Sequence, residues 1–276
     1  MIVLFLLPAM IAAAQTGSGV HPGKVAFADA QQWPAVTPGQ VTLKNFVPFR
    51  AVYRRTYKQG AGPKAGEPRI DRVITTAENV AWDGREAILF NMIDSAEAHY
   101  EDTNSRTLAL YVDARSLAVI FEMGPVPGAG KDYYLLRVLE DKVMGTFVTT
   151  DKGESKNQSA PTRAPGFGAP APWLLASMDL AEGRRIRFAP AYSVGLGALG
   201  TKAPFRVIAR QKITCEGGRQ FDAWIVESIG NLTSPWVQRT AVTDHPPYLI
   251  RRTSVNLDSG EENISMDLLD VQTFSR

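Results

Sequence analysis

Alternation of apolar and polar residues with a period of two runs through most of the chain, and it constrains the fold more than any other feature. Successive side chains of a β-strand point to opposite faces, so this alternation predicts half-buried strands. In the segment 49–57 it places Phe49, Ala51, Tyr53 and Arg55 on one face. The alternation therefore predicts a protein built mainly from strands.

The same pattern recurs at short spacing along the chain. Further strands are predicted at 86–92, 108–112, 117–123, 133–140, 143–150, 184–189, 205–215, 221–229, 236–242, 248–255 and 263–269. Turn-forming connections such as Asp83-Gly84 and Asp258-Ser259-Gly260 favour antiparallel pairing of neighbouring strands. The predicted fold class is mainly β: a single strongly curved antiparallel sheet, or half-barrel, with one short helix and a long Gly/Pro-rich loop.

Two neighbouring segments depart from the alternation. Residues 151–172 are dense in Gly, Pro, Ser and charge, which is typical of a long surface loop. Residues 173–180 begin just after Pro172 and end before Gly183, which indicates a helix of about two turns. The loop and the helix are expected to lie against one side of the sheet.

The amino-terminal region predicts export. Residues 1–14 form an apolar run closed by three alanines, as in a secretory signal peptide, although no Lys or Arg precedes the run. The run is too short for a membrane-spanning helix, which needs about 20 residues. Residues 15–45 show no sustained period and are interpreted as a flexible arm, and residues 46–276 as a single β-rich domain. The mature protein is expected in the periplasm or secreted, without spanning a membrane.

Charge and cysteine content narrow the function classes. Thirty Lys and Arg residues against 28 Asp and Glu residues leave a formal charge of +2. Without a basic run that carries interleaved aromatics, this balance argues against a nucleic-acid partner. Cys215 is the only cysteine, so an intramolecular disulfide is excluded, and the residue is interpreted as a buried, inert thiol.

A glycine pattern at 195–200 matches GxGxxG, the fingerprint of dinucleotide-binding sites. That fingerprint works only where a helix follows directly, because the helix amides bind the pyrophosphate. Here Pro204 and a β-branched run follow instead. The pattern is interpreted as a strand connection, and no cofactor is predicted.

The histidines define an alternative, enzymatic interpretation. Glu97, His99 and Glu101 would share one face of a strand, which suggests a metal site. Three neighbours on one strand point in parallel, however, so they are interpreted as a charged, solvated strand face, and no metal is predicted. His245 precedes two prolines, and the sequence contains no GxSxG motif that would supply a nucleophilic serine for it. A hydrolase or metal-dependent enzyme using His245 or His99 is the alternative, since a triad is recognised by geometry.

Aromatic residues on or beside the predicted strands suggest a ligand. A curved sheet presents a concave face that can take an apolar group, as open barrels do. Packing of the protein's own core explains the same residues. The candidate lining residues are Trp173, Leu174, Leu175, Trp224 and Trp236.

The second half of the chain resembles a known family. The segments that carry the likeness are 173–175 (WLL), 179–183 (DLAEG), 206–213, 221–227, 246–252 and 266–268. Their order resembles the exported bacterial proteins of domain of unknown function 3108, over about residues 170–269, and over 46–150 by strand pattern alone. The resemblance implies export and a curved sheet like that of lipoprotein-localisation factors. It implies no catalytic residue.

These observations predict an exported periplasmic binding or scaffolding protein rather than an enzyme. Its expected partner is a lipid, a lipoprotein or another apolar group on the concave face. An envelope protein that adds a strand to the sheet edge is the other expected partner.

Overall fold

The fold is mainly β, as predicted. The computed structural model describes residues 20–41, 43, 46–58, 68–96, 106–125, 132–149, 152–161, 171–188, 191–192, 199–200 and 204–274. The predicted signal segment 1–14 lies outside these ranges. Within them, no helix is long and apolar enough to cross a membrane.

Seventeen strands, β1 to β17 in chain order, and one α-helix, α1, make up the described chain. The first nine strands are Ala35–Val36, Phe49–Tyr57, Arg69–Trp82, Arg85–Ala96, Arg106–Asp113, Val119–Pro125, Tyr133–Val138, Lys142–Thr149 and Glu154–Pro161. Helix α1 is Ala171–Ala176. Strands β10 to β17 are Arg185–Phe188, Ala191–Tyr192, Leu199–Gly200, Phe205–Thr214, Gln220–Ser228, Trp236–Val242, Leu249–Asn256 and Glu262–Thr273. Short 3-10 turns cover Pro22–Phe27, Ala30–Gln32 and Glu216–Gly218.

One sheet contains fifteen of these strands, in the order β1-β10-β13-β14-β15-β16-β17-β2-β3-β4-β5-β6-β7-β8-β9. Every pair is antiparallel except β1 with β10. Strands β11 and β12 form a separate antiparallel pair. The carboxyl-terminal strand β17 joins the two halves by pairing with β2.

The sheet curls strongly. In the strand order three strands, β15, β16 and β17, lie between β14 and β2. The turn between β13 and β14 nevertheless reaches β2, where Glu216 Oε2 lies 2.6 Å from Arg54 Nη1. The same turn approaches β17, where Arg219 Nη2 lies 3.8 Å from Asp270 Oδ1. Register shifts interrupt the β15–β16, β16–β17 and β17–β2 pairings, and such bulges bend and twist strands. The predicted curvature is therefore confirmed.

The core lies on one face of this sheet, here called the inner face. Phe49, Ala51 and Tyr53 of β2 are buried on it, as the alternation predicts. Cross-strand partners share a face, so Val73 of β3 and Leu268 of β17, both opposite Tyr53, lie there too. Helix α1 packs onto this face.

The segment 20–36 packs on the opposite face of β15 and β16. Phe27 and Trp33 are 1% and 5% exposed and form an apolar cluster with Val237 and Val255. Lys24 Nζ donates to the carbonyl oxygen of Asn231 at 2.6 Å. The expectation of a flexible arm over 15–45 thus differs from the structure in this part. Two aromatic anchors, rather than a periodic pattern, attach the segment, and isolated anchors give no periodic signal.

Two predicted segment boundaries also differ. Strand β9, Glu154–Pro161, lies inside the expected loop 151–172 and pairs with β8. Its residues are mostly polar, because an edge strand needs only backbone pairing on one side and is protected by charges such as Lys156. Helix α1 spans Ala171–Ala176 rather than 173–180, because the Ser177 hydroxyl donates to the Trp173 carbonyl at 2.6 Å and ends the helix.

Candidate functional site

A charged cluster occupies the inner face where β2, β3 and β4 meet. Arg55 Nη2 lies 2.6 Å from Asp71 Oδ2 and also contacts Asp94 Oδ2. Arg69 Nε lies 2.7 Å from Asp71 Oδ1. The two arginines and two aspartates of this cluster balance in charge. The guanidinium of Arg55 lies 5.2 Å from the centre of the Tyr57 ring, within cation–π distance.

The strand register explains how these charges meet. Arg55 pairs with Asp71 across β2 and β3, and Val73 pairs with Asp94 across β3 and β4. The Asp71 side chain is fully buried, and that of Arg55 is 9% exposed. Burial alone would lower the pKa of Arg55, but the charge of Asp94 and hydrogen bonds to both aspartates raise it above its usual value. The charge of Arg55 is therefore compensated by the two aspartates within the cluster.

Arg252 lies on the same face without such compensation. It stands opposite Thr240 of β15 and Met266 of β17, and Met266 stands opposite Arg55. Arg252 is partly buried, and its Nε is shielded from solvent with no hydrogen-bond partner. Among the described residues no carboxylate lies within 4.0 Å of its guanidinium.

The surroundings of Arg252 lower its basicity without neutralising it. The pKa of Arg252 is lowered to about 10: burial is the largest cause, Tyr53 acts in the opposite direction, and the charge of Arg55 acts in the same direction as burial. A guanidinium with this pKa still carries its positive charge at neutral pH. Arg252 therefore carries a positive charge that has no acidic partner among the described residues.

Apolar side chains continue the inner face across β4 to β8. Met92 pairs with Leu108 across β4 and β5, and both are half-buried. Val138 of β7 and Phe147 of β8 are also half-buried and pack against a small cluster of Tyr134, Leu136 and Val143. These strands thus keep solvent contact at apolar positions, whereas the face beneath α1 is fully buried.

The predicted lining residues fall into three places. Trp173, Leu174 and Leu175 of α1 are 5%, 0% and 0% exposed and belong to the main core. The Trp173 ring lies 6.4 Å from that of Phe49 and 4.9 Å from that of Phe90. The helix residues therefore close one end of the inner face.

The other two tryptophans lie on strands. Trp224 of β14 is half-buried opposite Val242, with the guanidinium of Arg210 at 5.6 Å from its ring centre. Trp236 starts β15, six residues before Val242, so about 20 Å of strand separates it from Trp224. Trp224 packs against the main core cluster to which the helix residues belong, and Trp236 is not part of that cluster.

Of the residues named for the enzymatic alternative, the structure describes His245. Glu97, His99 and Glu101 lie outside the described residues. In the described ranges no group of three potential metal ligands occurs. The His245 ring is exposed, and its Nδ1 lies 2.8 Å from Asp244 Oδ1. Within the described chain that carboxylate is its hydrogen-bond partner, and this contact lowers the pKa of Asp244.

The single cysteine fits its predicted role. Cys215 is buried and free, and burial raises the pKa of its thiol, so the reactive thiolate is disfavoured. The GxGxxG segment lies mostly outside the described residues, and Leu199–Gly200 at its end forms strand β12.

The strongly curled sheet and the half-buried inner face define a barrel-like β-protein. A β-barrel-like protein of the domain of unknown function DUF1849 from Brucella abortus shares this fold, with a TM-score of 0.51 over 85% of this chain and 100% of that chain. The two sequences are 11% identical, so the likeness concerns the fold alone.

A second similar structure is an outer membrane lipoprotein-sorting protein domain, described as putative, from Vibrio parahaemolyticus. It is 9% identical over 83% of this chain and 86% of that chain, and its TM-score of 0.23 is too low to indicate a shared fold. No family model matches the chain, so membership of the 3108 family stays a prediction. No curated protein matches it either.

Sequence reasoning missed the charged cluster and Arg252 as parts of a site. One signal was present, because the alternation placed Arg55 on the face of Phe49, Ala51 and Tyr53. A charge among buried apolar positions calls for a partner. The partner Asp71 lies in β3, a strand that the alternation did not predict.

Proposed function

We propose that this chain is an exported protein of the cell envelope that binds a lipid, or the acyl group of a lipoprotein, on its inner face. One observation carries the proposal: Met92, Leu108, Val138 and Phe147 line that face and remain half-buried. Apolar side chains at such positions gain about 25 cal/mol for each Å² that a ligand covers. A concave apolar face with few polar groups is the usual form of a small-ligand site.

Other features support the proposal from different directions. The segment 1–14 has the character of a signal peptide, which supports export. Helix α1, with Trp173, Leu174 and Leu175, closes one end of the inner face and would limit the length of a bound chain. We place the ligand between this helix and the charged cluster of β2 to β4. Contacts of Trp224 and Trp236 with the ligand are part of the same proposal.

Native mass spectrometry of the full chain, purified from its own envelope fraction, tests the proposal. We expect an excess mass that solvent extraction releases as a lipid or acyl species. Met92→Glu should lower the loaded fraction, because it puts a charge on the inner face. A wild-type protein that shows only its own mass, in repeated mild preparations, would contradict the proposal.

A neighbouring residue supplies the matched control. Ile93 follows Met92 in β4, points to the opposite face and is 40% exposed. Ile93→Glu should therefore carry as much ligand as the wild type. Equal loading of both variants would place the ligand elsewhere. Circular dichroism of each variant confirms that the sheet is intact before loading is compared.

A further inference from the structure

Arg252 is a partly buried cation whose Nε is shielded from solvent and has no hydrogen-bond partner. Its neighbours across the strands are Thr240, which is 3% exposed, and Met266, which is 8% exposed. Shielding such a partly buried charge from water without a partner is unfavourable. The main core cluster includes Met266 and also Ile250, which precedes Arg252 by two residues in β16. The surroundings of Arg252 are therefore largely apolar.

The nearby carboxylates do not serve Arg252. Asp71 and Asp94 are both engaged by Arg55, and Asp71 by Arg69 as well. Two strand spacings, about 10 Å, separate Arg252 from Arg55 along the row through Met266. The ionisable groups that influence the pKa of Arg252 are Tyr53 and Arg55. At neutral pH the Tyr53 hydroxyl is uncharged and Arg55 is a cation, so neither supplies a negative charge.

The adjacent residue shows what a compensated arginine in this strand looks like. Arg251 points to the opposite face, is 45% exposed and contacts Asp267. Two successive arginines therefore differ in one respect that matters for binding. Arg251 has its counter-charge within the chain, and Arg252 has none among the described residues.

We propose that Arg252 binds the anionic group of an amphipathic ligand, a carboxylate or a phosphate, whose apolar chain lies on the inner face. This inference rests on the proposed function and specifies its ligand class. A guanidinium presents a planar pair of donors that matches both anions. Bound ligand would supply the counter-charge that the fold omits, and the apolar surroundings would strengthen the contact.

Isothermal titration with three probes tests the inference on the full chain. Dodecanoate and dodecyl phosphate carry the anion on an apolar chain, and dodecanol carries the chain alone. We expect the wild type to bind both anionic probes more tightly than dodecanol. Arg252→Met should weaken the anionic probes by about tenfold to a hundredfold, the usual effect of losing a charged hydrogen bond. It should leave dodecanol unchanged.

Control variants separate charge from folding. Arg251→Met should bind all three probes as the wild type does, and Arg252→Lys should retain a preference for the anionic probes. Arg252→Met should fold at least as stably as the wild type, because it removes an uncompensated charge from an apolar site. Lost binding in that variant would then not come from unfolding.

The outcomes distinguish the inference from the function on which it rests. If dodecanol and dodecanoate bind equally, and Arg252→Met changes neither, the anion site is wrong while lipid binding stands. If no probe binds, the proposed function fails together with the inference. If inorganic phosphate alone binds as tightly as dodecyl phosphate, the site takes a free anion and the amphipathic ligand is excluded.

Discussion

Two cations that are shielded from solvent to different degrees, the buried Lys24 and the partly buried Arg252, differ in the partners that the described residues give them. Lys24 is 0% exposed, donates to the Asn231 carbonyl and lies near Glu227. Burial lowers its pKa from 10.5 to about 8, and the charge of Glu227 offsets part of that effect. Arg252 has no acidic neighbour of this kind among the described residues. Lys24 therefore has a structural explanation within the chain, whereas Arg252 points to a ligand.

The lowered pKa of Lys24 predicts a pH dependence of stability. Between pH 8 and pH 10.5 the unfolded chain binds a proton at Lys24 that the folded chain has released, so stability rises with pH in this window. We expect the free energy of unfolding of the wild type, minus that of Lys24→Met, to rise by about 2 kcal/mol between pH 7 and pH 10. Urea unfolding at each pH measures this difference.

An exposed lysine isolates the effect from other titrations. Lys152 is exposed, and Lys152→Met should show no such change between the two pH values. A flat difference for Lys24→Met as well would mean that Lys24 keeps an ordinary pKa in the folded protein.

At the residue scale the sequence predicts part of the candidate site. Alternation alone places Arg55 on the buried face of β2. In β16 it requires one of Arg251 and Arg252 to face inward, but it does not say which. That choice depends on register with β15 and β17, where bulges interrupt both pairings. A one-residue shift of register exchanges the two faces of a strand.

At the scale of elements, the strands with clear alternation were predicted and those without it were missed. Strand β2 and the strands from β13 to β17 have apolar residues at most buried positions. Strand β3 fills two of its buried positions with Asp71 and Thr75, so its inner face does not read as apolar. Strand β9 is mostly polar, and its pairing with β8 holds it in the sheet.

The amino-terminal segment provides a prediction at this scale. Phe27 is 1% exposed between the segment and the sheet, whereas Val25 in the same 3-10 turn is 63% exposed. Phe27→Ala should lower the free energy of unfolding by about 3 kcal/mol, the cost of a large cavity. Val25→Ala should stay within about 0.5 kcal/mol. Denaturant unfolding measures both, and equal small effects would mean that the segment adds nothing to stability.

At the scale of the whole molecule, the sheet is continuous but its packing is not. The main core cluster includes residues of β2 to β6, β10, α1 and β13 to β17. Strands β7 and β8 pack mainly on a small cluster of Tyr134, Leu136 and Val143, and Val138 of β7 contacts both clusters. Backbone pairing joins the two regions through β6, while most apolar burial belongs to the first. Local opening is expected where few apolar contacts resist it.

This unequal packing predicts two levels of stability within one sheet. Leu268→Ala removes a side chain that is 1% exposed in the main core. It should lower the free energy of unfolding by about 2–5 kcal/mol and speed hydrogen exchange to a similar degree, within about a factor of two, in every strand. Leu136→Ala removes one 3% exposed in the small cluster, and it should speed exchange only in β7, β8 and β9. Peptide-resolved exchange with mass spectrometry measures both. Uniform acceleration in both variants would show that the sheet opens as one unit, because backbone pairing through β6 then outweighs the difference in packing.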